Sequence, residues 1–444
     1  MKQNPNLIHG KLPKSTPKRI SKLKAIFLFL LAIASLPAWY RHLVVYPRYE
    51  KQRAALRAQW QPPKVDNGLR DFKGSLHNHC YWSHDSRGNL HEILSAARRA
   101  GLHFVFFNDH PRSEVESFPR ALHGSYGNIL LIPGSENKEL LVWPRDSATV
   151  DWRGSVEQVI ARAREDGALV FYAHTERPHS WGNSLYHGME IYNMHADAKD
   201  ENYLVMLPEV LVNSRQFPFW VFRSFYDDLG LIALWDSLNV SRKIVGIAAN
   251  DAHDNLNIRG RYLEDGRVEW LGPSAKTWGI VNDSWLQRFL LDEPDSSGWS
   301  FRWELSNYYE TFSYVSTHLL ADTLNREALY DALRRGHAYV AFDGLAPAQG
   351  FVFRVENEAG APIATMGDTA TTMSTAYVRV ELPIPARIHL LQSGRVVARI
   401  EESRALRLEL DPAKSRGAMR VEAFLRLGEK WLPWIFSNPI YVTR

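Results

Sequence analysis

The stretch that most constrains this chain runs from Gly74 to His110, GSLHNHCYWSHDSRGNLHEILSAARRAGLHFVFFNDH. It begins with a strand signal ending in His77-x-His79 and passes into a polar loop carrying Ser83, His84 and Asp85. From about Leu90 to Ala100 the apolar residues Ile93, Leu94, Ala97 and Ala100 fall close to the i, i+3, i+4, i+7 spacing of a helix. Gly101 supplies the stop. A second strand signal, His103 to Phe107, delivers Asn108, Asp109 and His110. Such a β-α-β unit places two clusters of imidazole and carboxylate at the C-terminal ends of neighbouring parallel strands, the edge where α/β barrels and open sheets keep their chemistry.

The alternation continues. Asn128 to Pro133 reads as a strand reaching Glu136, and Ser155 to Glu165 as a helix. Ala168 to Ala173 reads as a strand ending at His174, and Met189 to Tyr192 as one that leaves Asn193 at its end. The span 200–240, rich in Trp, Phe and Leu, is expected as a helical insertion before the strand Ile244 to Ala249, which ends in Asn250, Asp251 and His253. Parallel strands with polar ends argue a barrel-like α/β domain. Residues 256–345 follow, with a helix expected near Arg326–Arg335. From about Asn357 the period changes to two, in Thr375–Leu382, Arg387–Leu391, Arg395–Ile400, Leu406–Leu410 and Ala418–Phe424, with Ser393-Gly394 as a hairpin turn. This predicts a C-terminal antiparallel β-sandwich, immunoglobulin-like, over 346–444.

Taken in order, His77-x-His79, Ser83-His84-Asp85, Asn-Asp-His at 108–110, Pro-Gly-Ser-Glu ending at Glu136, Ala-His ending at His174 and Asn-Asp-Ala-His at 250–253 resemble the motif series of the PHP (polymerase and histidinol phosphatase) superfamily over roughly residues 70–255. The resemblance implies an α/β fold, a distorted (β/α)7 barrel over 71–345, and a metal-dependent phosphoesterase. It also implies a ligand set. His77, His79, Glu136 and Asp251 would hold one metal, and Glu136 would bridge to a second that also takes His174. His110, His253 and either Asp85 or His84 would hold a third or complete the second. Two or three divalent ions (Zn, Mn or Fe) are thus expected, since imidazole with carboxylate suits all three metals. Arg112 and Arg177 each closely follow a candidate ligand and are candidates to grip a phosphate bidentately; His179 is a weaker one. Asp109, Glu190 and Asn193 either support the site or simply end strands. Two departures stand out: Ser75 replaces the acid usual before the first histidine, and residues 137–173 contain no histidine where many members carry a ligand. An acid such as Glu139 could complete the second metal site in its place.

The chemistry fits these residue types. His-x-His on a strand points both rings to one side. Two metals about 3.5–4 Å apart neutralise phosphoryl charge and activate water. The expected substrate is a small-molecule phosphate ester or a lipid head group. Two rivals are a non-catalytic, metal-stabilised binding module and a hydrolase of C–O or C–N bonds.

Charge bears on partners and location. The formal charge is +4, yet Lys2, Lys11, Lys14, Lys18, Arg19, Lys22 and Lys24 precede any acid, so the remainder is near −3 (+4 less 7). That argues against nucleic acid. The basic start runs into AIFLFLLAIASLPAWY, Ala25 to Tyr40. Residues 1–46 are therefore expected as a basic N-terminus with a transmembrane anchor (25–46) or a cleaved signal segment, placing the rest outside the cytoplasm. Residues 47–70 read as a polar linker. The single cysteine, Cys80, excludes an intramolecular disulfide.

Overall fold

The computed structural model describes residues 33–444 other than 66, 119–120, 146–148, 200–201, 228–229, 255–256, 273–275, 305–306, 372–374, 412–413 and 444. The helix expected after the first polar loop is Leu90–Ala100 (α1), closed at both ends by local chemistry. Asn89 accepts from the Glu92 amide, the Glu92 side chain accepts from the Asn89 amide, and Gly101 adopts φ 69°. That reciprocal cap and left-handed stop stabilise the ends, while Ile93, Leu94, Ala96 and Ala97 are buried. Val156–Glu165 (α2) carries the same cap through Ser155 and Gln158.

Among the described residues, six strands run parallel as neighbours. In spatial order they are Ile129–Ile132 (β3), Phe104–Phe106 (β2), Arg70–Asn78 (β1), Val245–Ala252 (β8), Gly188–Asn193 (β7) and Leu169–Tyr172 (β6). Ser135–Asn137 (β4) and Leu140–Trp143 (β5) attach antiparallel, β5 pairing with β6. Gly74 on β1 is required by packing: a Cβ there would lie 2.1 Å from the Phe104 ring. The cores of the strands are fully buried.

Two expectations are corrected. A (β/α)7 barrel is not what forms. The strand–helix repeat fails between β2 and β3 and between β6 and β7, and β5 runs antiparallel. On the edge it shares with β8, the Arg70–Gly74 half of β1 pairs antiparallel with Ser316–Ala321 (β9). The result is mixed α/β architecture built on large sheets.

Ala338–Ala341 (β10) pairs with both β9 and Lys430–Ser437 (β11), so the C-terminal strands continue the same 19-stranded sheet. The pairs of strands expected at 375–391 and 395–410 fuse into Ala376–Gln392 and Arg395–Glu409, because register shifts between Glu381 and Ile388 absorb Pro383 and Pro385. The two-residue turn between them is present, with Ser393 at φ 48° and Gly394 at φ 77°. Residues 257–304, unread in the sequence, hold a separate four-stranded antiparallel sheet.

The expected transmembrane anchor is not seen among the described residues, where no helix is long and apolar enough to cross a membrane. Residues 25–32 of the expected anchor lie outside the described residues. Residues 33–57 are helical, through a π-helical turn at Arg41–Val45 and on through Tyr46–Arg57, where a linker was expected. One face of this N-terminal helix is committed to protein. Arg41 pairs with Glu209 at 2.8 Å, Asn213 Nδ2 donates to the Ala38 carbonyl at 3.2 Å, and the buried Tyr46 hydroxyl donates to Glu209.

Candidate metal centre

Most candidate ligands lie at or just beyond the C-terminal end of a strand: His77 and His79 at β1, His110 after β2, His174 after β6, and Asp251 and His253 at β8; Glu136 sits within β4 and Asp85 in the loop between β1 and α1. Three hold left-handed backbone, His77 at φ 57°, His174 at φ 50° and Asp251 at φ 49°. Non-glycine residues in that region cost roughly 1–3 kcal/mol each and cluster where function imposes them. The pairing of β1 with β8 also slips between Leu76 and Asn78, a bulge at His77; bulges re-aim side chains beside active sites.

Four donor atoms converge. His77 Nε2 lies 3.1 Å from Glu136 Oε2 and 3.4 Å from Asp251 Oδ1, and His79 Nε2 lies 3.3 Å from each of the same oxygens. Tetrahedral ligands at zinc bond lengths would stand about 3.3 Å apart. His79 Nε2 and Asp251 Oδ1 are buried and make no hydrogen bond. Atoms so orphaned cost about 1–3 kcal/mol apiece, which a cation between them removes. The donor set fits a divalent metal.

Two further groups adjoin the first. The other oxygen of Glu136, Oε1, lies 3.2 Å from His174 Nε2, and Asp251 Oδ2 lies 3.9 Å from that nitrogen. Asp85 Oδ2 lies 3.1 Å from His253 Nε2 and 3.4 Å from His110 Nε2, while the His253 ring stacks on His79 at 3.9 Å. Of the two neighbours left open in the sequence, the structure brings in Asp85; His84 is exposed, its ring 5.0 Å from that of His110.

Charge explains why a cation belongs here. Burial opposes ionisation of Glu136 and Asp251, but the imidazoles, His77 foremost, outweigh it and hold both well below the usual carboxylate range. Burial likewise opposes protonation of His79, yet Asp251 and Glu136 lift it to about 9. His174 is lifted to about 10 against burial, chiefly by Glu136. With neutral imidazoles the three carboxylates leave an uncompensated buried negative charge, which is expensive. Divalent ions balance it without protons.

Supporting residues fix the rings. Glu190 Oε1 lies 2.5 Å from His77 Nδ1, and its Oε2 accepts from the His174 amide (2.8 Å) and Asn193 Nδ2 (2.9 Å). A carboxylate behind a ligating imidazole sets its tautomer and orientation. Asp109 accepts from the Cys80 amide at 2.7 Å and the Cys80 thiol at 3.1 Å. Burial pushes the Asp109 carboxyl up to about 6. Ser83 Oγ donates to Asp85 Oδ1 at 2.6 Å.

The remaining candidates have other partners. Arg112 donates to the Trp82 carbonyl at 2.9 Å, with its guanidinium 4.1 Å over the Trp82 ring. Arg177 pairs with Glu139 at 3.1 Å, its side chain 55% exposed. His179 contacts the His174 carbonyl at 3.1 Å and packs on Tyr172.

One imidazole escaped the sequence reading. His195, on Met194–Lys199 (α3), lies with its ring 5.4 Å from His253, and it can present a nitrogen within 4.8 Å of donor atoms of Asp251 and His253. Asn193 Oδ1 accepts from the His195 and Ala196 amides, both at 3.0 Å, which sets the turn. Its position two residues beyond a strand end was the available signal.

No family model matches the chain, and no curated protein matches it. Among solved structures it is similar to a two-domain protein from Bacteroides vulgatus ATCC 8482 that contains a predicted PHP-like metal-dependent phosphoesterase. The two are 13% identical over 85% of this chain and 98% of that one, with a TM-score of 0.34. So distant a likeness decides nothing about the chemistry of this chain, which stands on the cluster itself.

Proposed function

We propose that this protein is a metal-dependent hydrolase of phosphate esters, acting on a small-molecule ester or a lipid head group. The observation that supports this most is Glu136, which turns one oxygen to His77 and His79 and the other to His174, the disposition of a carboxylate shared by two cation positions. Divalent ions held there (Zn, Mn or Fe) would neutralise phosphoryl charge and lower the pKa of water.

The chain's own residues orient and admit. Glu190 keeps Nε2 of His77 directed into the cluster by engaging Nδ1. His77 and His79 are fully buried, whereas the His110 and Asp85 side chains are 29% and 23% exposed. Substrate reaches the cluster from that open side. Arg112, committed to the carbonyls and ring of the 81–82 segment, holds the loop that presents Asp85. Arg177, more than half exposed beside His174, is the better candidate to exchange Glu139 for a phosphoryl group, in bidentate fashion.

The test is elemental analysis of the full chain after loading with Mn or Zn, followed by assay on an aryl phosphate monoester and diester beside His77→Ala. Two or more metals per chain, with turnover abolished by the substitution, is the expected result. A chain that takes up no metal, or that binds metal and turns over neither ester, overturns the proposal.

A further inference from the structure

We propose that the groove between the N-terminal helix and the C-terminal strands is a binding site for an anionic amphiphile, an apolar chain carrying a phosphate or carboxylate head. The groove encloses about 500 Å³, within the range of small-molecule sites. Its apolar wall is Val45, Trp220, Leu427 and Leu432. Three cations, Arg41, Arg223 and Lys430, also line it, and no carboxylate does among the described residues.

Arg223 carries the argument. Its residue exposure is 9%, and among the described residues no carboxylate pairs with it. Nη2 donates to the Pro433 carbonyl at 3.4 Å, and Nη1 is buried without a hydrogen-bond partner. The guanidinium is otherwise cushioned by the rings of Tyr226 (4.2 Å) and Phe342 (4.8 Å), and it bears on the neutral Tyr314 hydroxyl. Elsewhere this chain handles a buried arginine differently: Arg420 meets Asp236 at 2.5 Å and Glu422 at 2.8 Å. A buried guanidinium without a counter-ion costs several kcal/mol, and an anionic head in the groove supplies one.

An apolar tail is indicated by what adjoins. Pro37 and Tyr40 of the N-terminal helix line the groove, and beside them Ile33, Leu36 and Leu43 are 47%, 60% and 69% exposed. A stripe of that kind on a monomer marks a surface with an apolar partner. The groove shares no lining residue with the metal cluster, so this inference stands whether or not the hydrolase reading does.

The test titrates the full-length chain, by calorimetry below micellar concentrations, with oleate, oleoyl lysophosphatidate, monoolein and inorganic phosphate. The expected result is saturable one-to-one binding of at least one anionic amphiphile, with monoolein and phosphate at least tenfold weaker. Arg223→Gln should weaken binding at least tenfold, and His77→Ala should leave it unchanged. Which of the two anionic amphiphiles binds tighter then identifies the head group. Absence of saturable binding by either, equal binding of monoolein or phosphate, or undiminished binding by folded Arg223→Gln overturns the proposal. Should that variant not fold, Lys430→Glu at the exposed rim decides: weakened binding supports the site, and unchanged binding overturns it.

Discussion

Two buried clusters in this molecule use the same residue types to opposite ends. In the first, His318 lies between two aspartates, its Nδ1 2.7 Å from Asp71 and its Nε2 2.9 Å from Asp343. The carboxylates are themselves satisfied: Tyr339 donates to Asp71 at 2.6 Å, and the Ala348 amide donates to Asp343 at 2.9 Å. In the second, His77, His79, Glu136 and Asp251 crowd their donor atoms into one space at 3.1–3.4 Å, and two of those atoms have no hydrogen bond. The first cluster is closed by its own protons and ties β1 to β9 and β10. The second is open, and a cation would complete it. Buried imidazole beside carboxylate is therefore not in itself a metal signature; convergence of unsatisfied lone pairs is.

The sharpest way to break the comparison is His77→Ala. Turnover should fall by at least about 10³-fold, as when a ligand and its charge balance are both removed, and elemental analysis should show metal lost. His318→Leu should do the reverse. Stability in urea should fall by about 3–5 kcal/mol, because two buried carboxylates lose their partner, while metal content holds.

The pH dependence sharpens it further. Burial disfavours the His318 cation, but Asp71 and Asp343 outweigh burial and lift it to about 9 from 6.5. A group raised on folding stabilises fully below its unfolded pKa. Stability on the order of 3 kcal/mol should thus be lost as pH rises from 6.5 through 9, and that loss should vanish in His318→Leu. Asp343 is held below its ordinary range against burial, first by Lys73 and then by His318, so a second loss is expected only at strongly acid pH. Chemical denaturation across pH reads both.

Smaller effects follow. Glu190→Gln should lower metal affinity by about 10–100-fold without removing a ligand, as read by chelator competition. His195→Ala should shift affinity only a few-fold, at unchanged stoichiometry. A full equivalent of metal lost instead would make His195 a ligand in its own right.

Much of this was legible because it is local. α1 by its apolar spacing, Gly101 as stop and the Ser393-Gly394 turn all rest on residues a few positions apart. The order of the candidate ligands could be read because parallel strands present polar ends to one edge, and His77, His110, His174 and Asp251 lie at or just past such ends, whereas Glu136 falls on antiparallel β4. Not everything local was conclusive. Apolar Ala25–Tyr40 reads as a span, and of it the described part begins at Ile33, where Ala38, followed by Arg41 and Tyr46, meets Tyr203–Asn213. Pro383 and Pro385 read as a strand boundary until bulges absorb them.

By itself, then, the sequence determined which residue types stand at the strand ends, in what order, and that they include enough imidazole and carboxylate to bind a cation. The tertiary structure alone decided which atoms meet. Asp85 rather than His84 faces His253, Glu136 divides its oxygens, Arg112 turns to Trp82, and Arg223 lines its groove with no carboxylate paired to it among the described residues. The physical reason is that ligand geometry depends on side chains far apart in the chain. His77 and Asp251 are brought within 3.4 Å by strand register, bulges and left-handed backbone, and only long-range packing imposes those.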